Sequence, residues 1–224
     1  MSRILVDQVR SNSASGDAIT LDSSGKCAIN ATTINSLTFP TSDGSANQVI
    51  KTDGSGALSF VAQPSGGISM AEIWRVPTAY STSGGNTVYP TTWERDDTAL
   101  AGNIGSSGMS QSGGVWTFPS TGIYYIQWQG YGYGGANSNV SLFAHGIYAT
   151  GNNSSYSQIS INYVNFGAPH FWNYGWGSTQ AIIDVTDISN VKAKLSNYSA
   201  DPMTWEVGST TNYNSAIFLK LGDT

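Results

Sequence analysis

The sequence predicts an all-β protein in two parts: a stalk of short β-hairpins over residues 1–67, then a β-sandwich or jelly roll over 68–224. Three observations point there. Beyond residue 68, ten short apolar or alternating runs are separated by turn clusters, and no window holds a capped 3.6-residue period for more than two turns. The chain also changes character near residue 70, since all 7 Trp and all 12 Tyr lie beyond it. Finally, the aromatic-poor first part carries an internal repeat that reads as strand, turn, strand.

The repeat aligns Ile19–Ile29 with Ile50–Phe60 at an offset of 31 residues. Apolar residues match at both ends, and Asp22/Asp53, Ser24/Ser55 and Gly25/Gly56 match between them. Asp hydrogen-bonds its own backbone and Gly supplies positive φ, so each unit is a tight hairpin. Ile34, Leu37, Phe39 and the turn-rich Pro40–Gly44 lie between the two. A lone hairpin is marginal in water. Two spaced hairpins, each with one apolar face, need partner chains, and a symmetric bundle is the simplest arrangement. Gln63-Pro-Ser-Gly-Gly67 then reads as a hinge.

In the second part the strand candidates are Glu72–Tyr80, Thr87–Glu94, Val115–Phe118, Gly122–Gly130, Val140–Tyr148, Ser157–Val164, Thr179–Val185, Val191–Tyr198, Met203–Val207 and Ala216–Leu221. Ten short strands of this kind read as a β-sandwich or jelly roll.

Composition narrows the function. From Thr98 to Ile183 there is no Asp, Glu, Lys or Arg, and only His145 and His170 are left there for acid–base chemistry. The chain is expected not to be an enzyme. Net charge is −5, with 9 basic and 14 acidic side chains and no basic run, which argues against nucleic acid. No apolar run approaches the ~20 residues needed to cross a bilayer, so no membrane partner is expected. The opening residues show no secretory pattern. The lone Cys27 excludes an intrachain disulfide framework and reads as a small buried side chain. These features fit assembly in a reducing cytoplasm.

One stretch is specific enough to suggest a family. Residues 113–126, Gly-Gly-Val-Trp-Thr-Phe-Pro-Ser-Thr-Gly-Ile-Tyr-Tyr-Ile, end one strand at Phe118, turn at Pro119 and Gly122, and open the next at Tyr124. This resembles the strand corner of the complement component one-q and tumour necrosis factor superfamily of jelly rolls. Thr87–Trp93, the region of Asn103 and Gly105, Asp184–Asn190 and the closing Ala216–Leu221 fall where that family has its other strands and loops. The resemblance covers about residues 70–224 and departs from His145 to Trp176, which is unusually rich in Asn, Gly and aromatics. It implies a homotrimer packed through an aromatic-rich inner sheet. Ser2–Gln8 and Ala46–Gly54 also resemble the short fibre or appendage proteins of tailed bacteriophages, which implies a virion location and attachment to other virion structural proteins through residues 1–67.

Candidate sites follow from the side chains. His145, in Leu-Phe-Ala-His-Gly, shares a face with Phe143 and reads as a structural histidine, and His170 reads as a packing or contact residue. No zinc-like spacing and no Gly-x-Ser-x-Gly motif is present, so catalytic residues, metal ligands and cofactors are expected to be none. Glu94-Arg-Asp-Asp97 reads as a solvated loop with an internal salt bridge; its two adjacent Asp residues, with loop carbonyls or Asn103, are no more than suggestive of a calcium site, and the sequence leaves that open. Most of the other acids of this part, Glu72, Asp184, Asp187, Asp201, Glu206 and Asp223, read as turn or chain-end residues. Trp128 reads as core. Trp172, Tyr174 and Trp176, with Phe171 in the same loop, are the ligand-binding candidates, because Gly175 and Gly177 should break regular pairing there and leave rings free to stack on sugars. Tyr131 and Tyr133, on one strand with Trp128, share parity and could also stack on sugars. The expected role is a phage short tail fibre or knob that trimerises and adheres to a host-surface glycan without turnover. A capsid decoration or head-fibre protein serving assembly is the alternative.

Overall fold

The computed structural model describes residues 8–9, 19–21, 23–24, 27–29, 33–63, 67–98, 102–134, 140–166 and 174–224. The chain divides into two compact units, residues 1–65 and 66–224. Among the described residues there is no helix.

The first unit is built from paired short strands. Strands β1 (Gln8–Val9), β2 (Ile19–Leu21) and β3 (Cys27–Ile29) form one sheet, with Ile19 opposite Ile29. Strand β4 (Thr33–Ile34) pairs with β5 (Leu37–Thr38), and β6 (Gln48–Thr52) with β7 (Leu58–Ala62), placing Ile50 opposite Phe60. The β6–β7 turn closes because Asp53 Oδ1 accepts the backbone N–H groups of Ser55 (2.8 Å) and Ala57 (3.0 Å). Gly54 and Gly56 take the positive φ values of 82° and 100° that this turn requires. In a single chain Ile34, Leu37, Val49 and Ile50 are left exposed.

The second unit is a sandwich of two antiparallel sheets. One sheet runs β11 (Glu94–Arg95), β8 (Met70–Arg75), β20 (Ser215–Gly222), β14 (Gly122–Tyr133) and β17 (Tyr174–Val185). At the far end of β14, β19 (Pro202–Trp205) and then β9 (Tyr80–Ser83) extend it. The other sheet runs β12 (Ser110–Ser112), β13 (Val115–Thr117), β18 (Lys192–Ser199), β15 (Leu142–Thr150) and β16 (Ser157–Asn165), with β10 (Asn86–Val88) also on β18. Counting the eight principal strands in chain order, from β8 to β20, gives 1-8-3-6 in one sheet and 2-7-4-5 in the other. That order is a jelly roll.

The core sits between the sheets and is mostly aromatic. Trp116 from one sheet meets Phe218 (4.6 Å between ring centres), Trp93 (4.9 Å) and Trp74 (5.3 Å). Trp128, fully buried, donates its indole N–H to the Ser196 carbonyl at 2.9 Å. The Pro119–Gly122 corner is tied by Tyr124, whose hydroxyl donates to the Ser120 carbonyl at 3.0 Å. Twelve alternating residues of β14 send Tyr124, Ile126 and Trp128 inward.

Two expectations are corrected, and one acid proves an exception. Thr87–Glu94 is not one strand: β10 pairs in one sheet and β11 in the other, and Pro90 sits between them where the chain crosses the sandwich. Glu94–Asp97 has no internal salt bridge, because its charges are matched from outside: buried Arg75 takes Glu94 (3.2 Å), Asp96 (2.7 Å) and Asp97 (2.8 Å), and Arg95 takes Glu72 (3.0 Å). Glu72 is neither a turn nor a chain-end residue but a buried member of β8.

Candidate functional site

Beyond Trp128, β14 changes its side-chain sizes without changing its alternation. Gly130 and Gly132 face inward, while Tyr131 and Tyr133 face out. Opposite them β17 does the same, with Gly175 and Gly177 inward and Tyr174 and Trp176 outward. The pairing is regular throughout: Gly130 faces Gly177, Tyr131 faces Trp176, Gly132 faces Gly175 and Tyr133 faces Tyr174.

The glycines are there because a second layer comes close. A Cβ on Gly177 would lie 2.6 Å from His145 Cδ2, and one on Gly175 would lie 2.3 Å from Phe143 Cε1. On Gly130 it would lie 2.1 Å from Asn214 Oδ1, and on Gly132 2.6 Å from the Met203 methyl. Small residues inside let the sheet settle on His145, Phe143 and Trp205, and all the bulk of this region goes to the outer face.

The outer face is an aromatic platform. Tyr131 and Tyr174 stack with ring centres 6.0 Å apart and planes 13° apart. Trp176 lies 6.4 Å from Tyr131, Tyr213 lies 6.3 Å from it, and Tyr133 lies 5.8 Å from Tyr174. Tyr174 and Trp176 remain 53% and 50% exposed. With Glu206, four of these rings line a shallow cavity of about 530 Å³. Burial among its neighbours, helped by Tyr174, Glu206 and Tyr213, pushes the Tyr131 phenol up, so it stays a neutral donor at ordinary pH. Glu206 is the one carboxylate lining the cavity.

Tyr174 and Trp176 therefore stand on a regular strand, not in a loop, and Gly175 and Gly177 preserve the pairing that they were expected to break. Glycine opposite glycine keeps the ladder intact and only empties the inner face. Trp172, like Phe171 and His170, lies outside the described residues. Tyr213 and Glu206 join the platform from β20's leading turn and from just past β19. Neither was legible as a site residue, since each arrives from a segment distant in sequence with no pattern of its own.

Beneath the platform, His145 is fully buried, and burial drives its imidazole down to about 3. It is neutral at ordinary pH, with Asn197 Nδ2 3.3 Å from its Nδ1. Among the described residues no group of three or more His, Cys, Asp or Glu side chains is placed to hold a metal ion. Around Arg75 the carboxylates are already matched. Burial raises Asp96, but hydrogen bonds from Asn212 and Thr98, together with the Arg75 charge, bring it down to about 2.

No protein-family model and no curated protein matches the chain. Solved structures similar to it include murine APRIL, at 10% identity, covering 68% of this chain and 98% of that one with a TM-score of 0.46. Eiger TNF from S. frugiperda is another, at 12% identity, covering 69% and 94% with a TM-score of 0.47.

Proposed function

We propose that the chain is a structural virion protein of a tailed bacteriophage, a short tail fibre or knob that trimerises and holds a host-surface glycan without catalysis. The observation that carries the binding reading is the exposed platform of Tyr131, Tyr133, Tyr174, Trp176 and Tyr213. Aromatic faces stack on the apolar faces of sugar rings, and Glu206 at the rim can accept their hydroxyls. The phage setting is supported by the resemblance of Ser2–Gln8 and Ala46–Gly54, and the first unit is the proposed point of attachment to other virion proteins.

Register divides the same sheet face into zones. Tyr125 faces Ile182 and Leu219, and Gln127 faces Ile217 and Gln180. Ile217 in turn faces Ile73. Tyr125, Ile182, Leu219, Ile217 and Ile73 form an aliphatic half with Ile182 66% exposed, and Gln127, Gln129 and Gln180 separate it from the aromatic end. In the proposed trimer the aliphatic half packs against the other copies and the aromatic end stays open. Three weak sites then act together, because linked heads raise one another's effective concentration.

The test is Tyr174→Ala combined with Trp176→Ala, with binding to host cells or their purified polysaccharide measured alongside the oligomeric mass. The expected result is about 10-fold or greater loss of binding at unchanged mass, since one stacking contact contributes about 1 kcal/mol. Unchanged binding removes the glycan role from this face. Release of oligosaccharide from the polysaccharide by the unaltered protein would make it an enzyme.

A further inference from the structure

At the opposite end of β14 from the platform, β20 breaks its own pattern. Ala216 and Phe218 face the core and are fully buried, and strand alternation gives residue 220 the same direction. That residue is Lys220, and its side chain is only 12% exposed. A core-facing ammonium loses hydration that an aliphatic residue would not lose. Charges kept at such positions against local rules mark functional places.

The surroundings are built to seat it. Lys220 lies over Gly122, where a Cβ would stand 2.4 Å from its Cε and 3.2 Å from its Nζ. Its Nζ donates to Ser120 Oγ at 3.2 Å and to Asp223 Oδ1 at 2.7 Å, which leaves the third N–H of the ammonium for another acceptor. The Tyr124 hydroxyl lies 3.1 Å from the same Ser120 Oγ. Lys220, Tyr124 and the hydroxyl residues Ser69, Ser106, Ser107 and Ser120 line a cavity of about 310 Å³, and among the described residues no carboxylate lines it. Asp223 reaches Lys220 from outside and is 91% exposed, so it holds the cation weakly and can be displaced.

We infer that this cavity binds a small oxyanion, the carboxylate of an acidic sugar or a phosphate group. Lys220 supplies the charge and the serine hydroxyls complete the donor set, the Tyr124 hydrogen being held by the Ser120 carbonyl. The site is separate from the aromatic platform and does not depend on the adhesion reading.

The test titrates the full chain, at constant ionic strength with chloride as the control, first with inorganic phosphate and then with glucuronate, following the backbone amides of Ser106, Ser107 and Ser120 by NMR. Saturable shifts with phosphate alone, with glucuronate alone or with both support the site and tell which anion it takes. Lys220→Met, which replaces a core-facing cation with an apolar chain of similar length and so keeps the fold, is expected to weaken binding about 10-fold or more. Asp223→Asn, which removes the internal competitor, is expected to tighten it. No saturable shift with either probe, binding that survives in Lys220→Met, or binding that Asp223→Asn fails to tighten overturns the inference.

Discussion

His145 shows how a residue in this protein is constrained by what lies on three sides of it. Trp128, Phe143 and Trp205 surround its ring with centres 5.8, 5.5 and 5.3 Å away, and Gly177 faces it across a gap too small for a methyl group. A charged imidazole there is wholly buried among these rings, which is why its pKa falls from 6.5 to about 3. The unfolded chain takes up a proton near 6.5, but the folded chain refuses it until about 3. The stability that His145 contributes is therefore fully present above pH 6.5 and is lost as pH falls toward 3, at up to ~1.4 kcal/mol per pH unit. Denaturant unfolding at pH 7, 5.5 and 4 should show this decline, and it should flatten in His145→Gln, which cannot titrate. A His145→Gln slope equal to that of the unaltered protein would assign the acid sensitivity to other groups. The other histidine in the charge-free stretch, His170, lies outside the described residues.

At the scale of elements, alternation decided what could be read in advance. β15, β16 and β18 fall within two residues of the runs expected from sequence, because each carries apolar residues at alternate positions, Phe143 and Ile147, Ile159, Ile161 and Tyr163, and Ala193 and Leu195. β14 and β17 extend further than expected, to Tyr133 and back to Tyr174, because their inner positions there are glycines. Gly-Tyr-Gly-Tyr and Tyr-Gly-Trp-Gly have period two as surely as any Val-Thr run, but the empty positions face the core and read as breaks. That misreading turned a strand into a loop, although the aromatic residues singled out from it, Tyr174 and Trp176, do stand exposed. β9 and β12, rich in Ser and Thr, carry no apolar period at all. The glycine argument is testable by Gly177→Ala, whose Cβ would meet His145 and Val164 at 2.6 and 3.1 Å. The expected cost is about 1–3 kcal/mol, a melting temperature several degrees lower, with Trp176 itself untouched. Gly151→Ala, where a Cβ meets nothing within 4 Å, is the control and should change little. Equal effects from the two substitutions would mean that the inner glycines are not there for packing.

At the scale of the whole molecule, what one chain leaves uncovered links its two units. In the first, Ile34, Leu37, Val49 and Ile50 stand exposed; in the second, Ile182 and Leu221 do, on the same sheet as the aromatic platform. Large apolar residues left exposed in this way are places where another chain or a ligand can dock. The expectation of partner chains came from the spaced hairpins of the sequence, and the proposed trimer rests on it together with the sheet register of the second unit. In the proposed trimer each unit meets its own copies, and the aromatic end is presented three times over. The most direct test is the mass of the purified full chain by sedimentation at low protein concentration. Three times the 23.7 kDa chain mass is the predicted result, and a well-folded single chain of 23.7 kDa would contradict it.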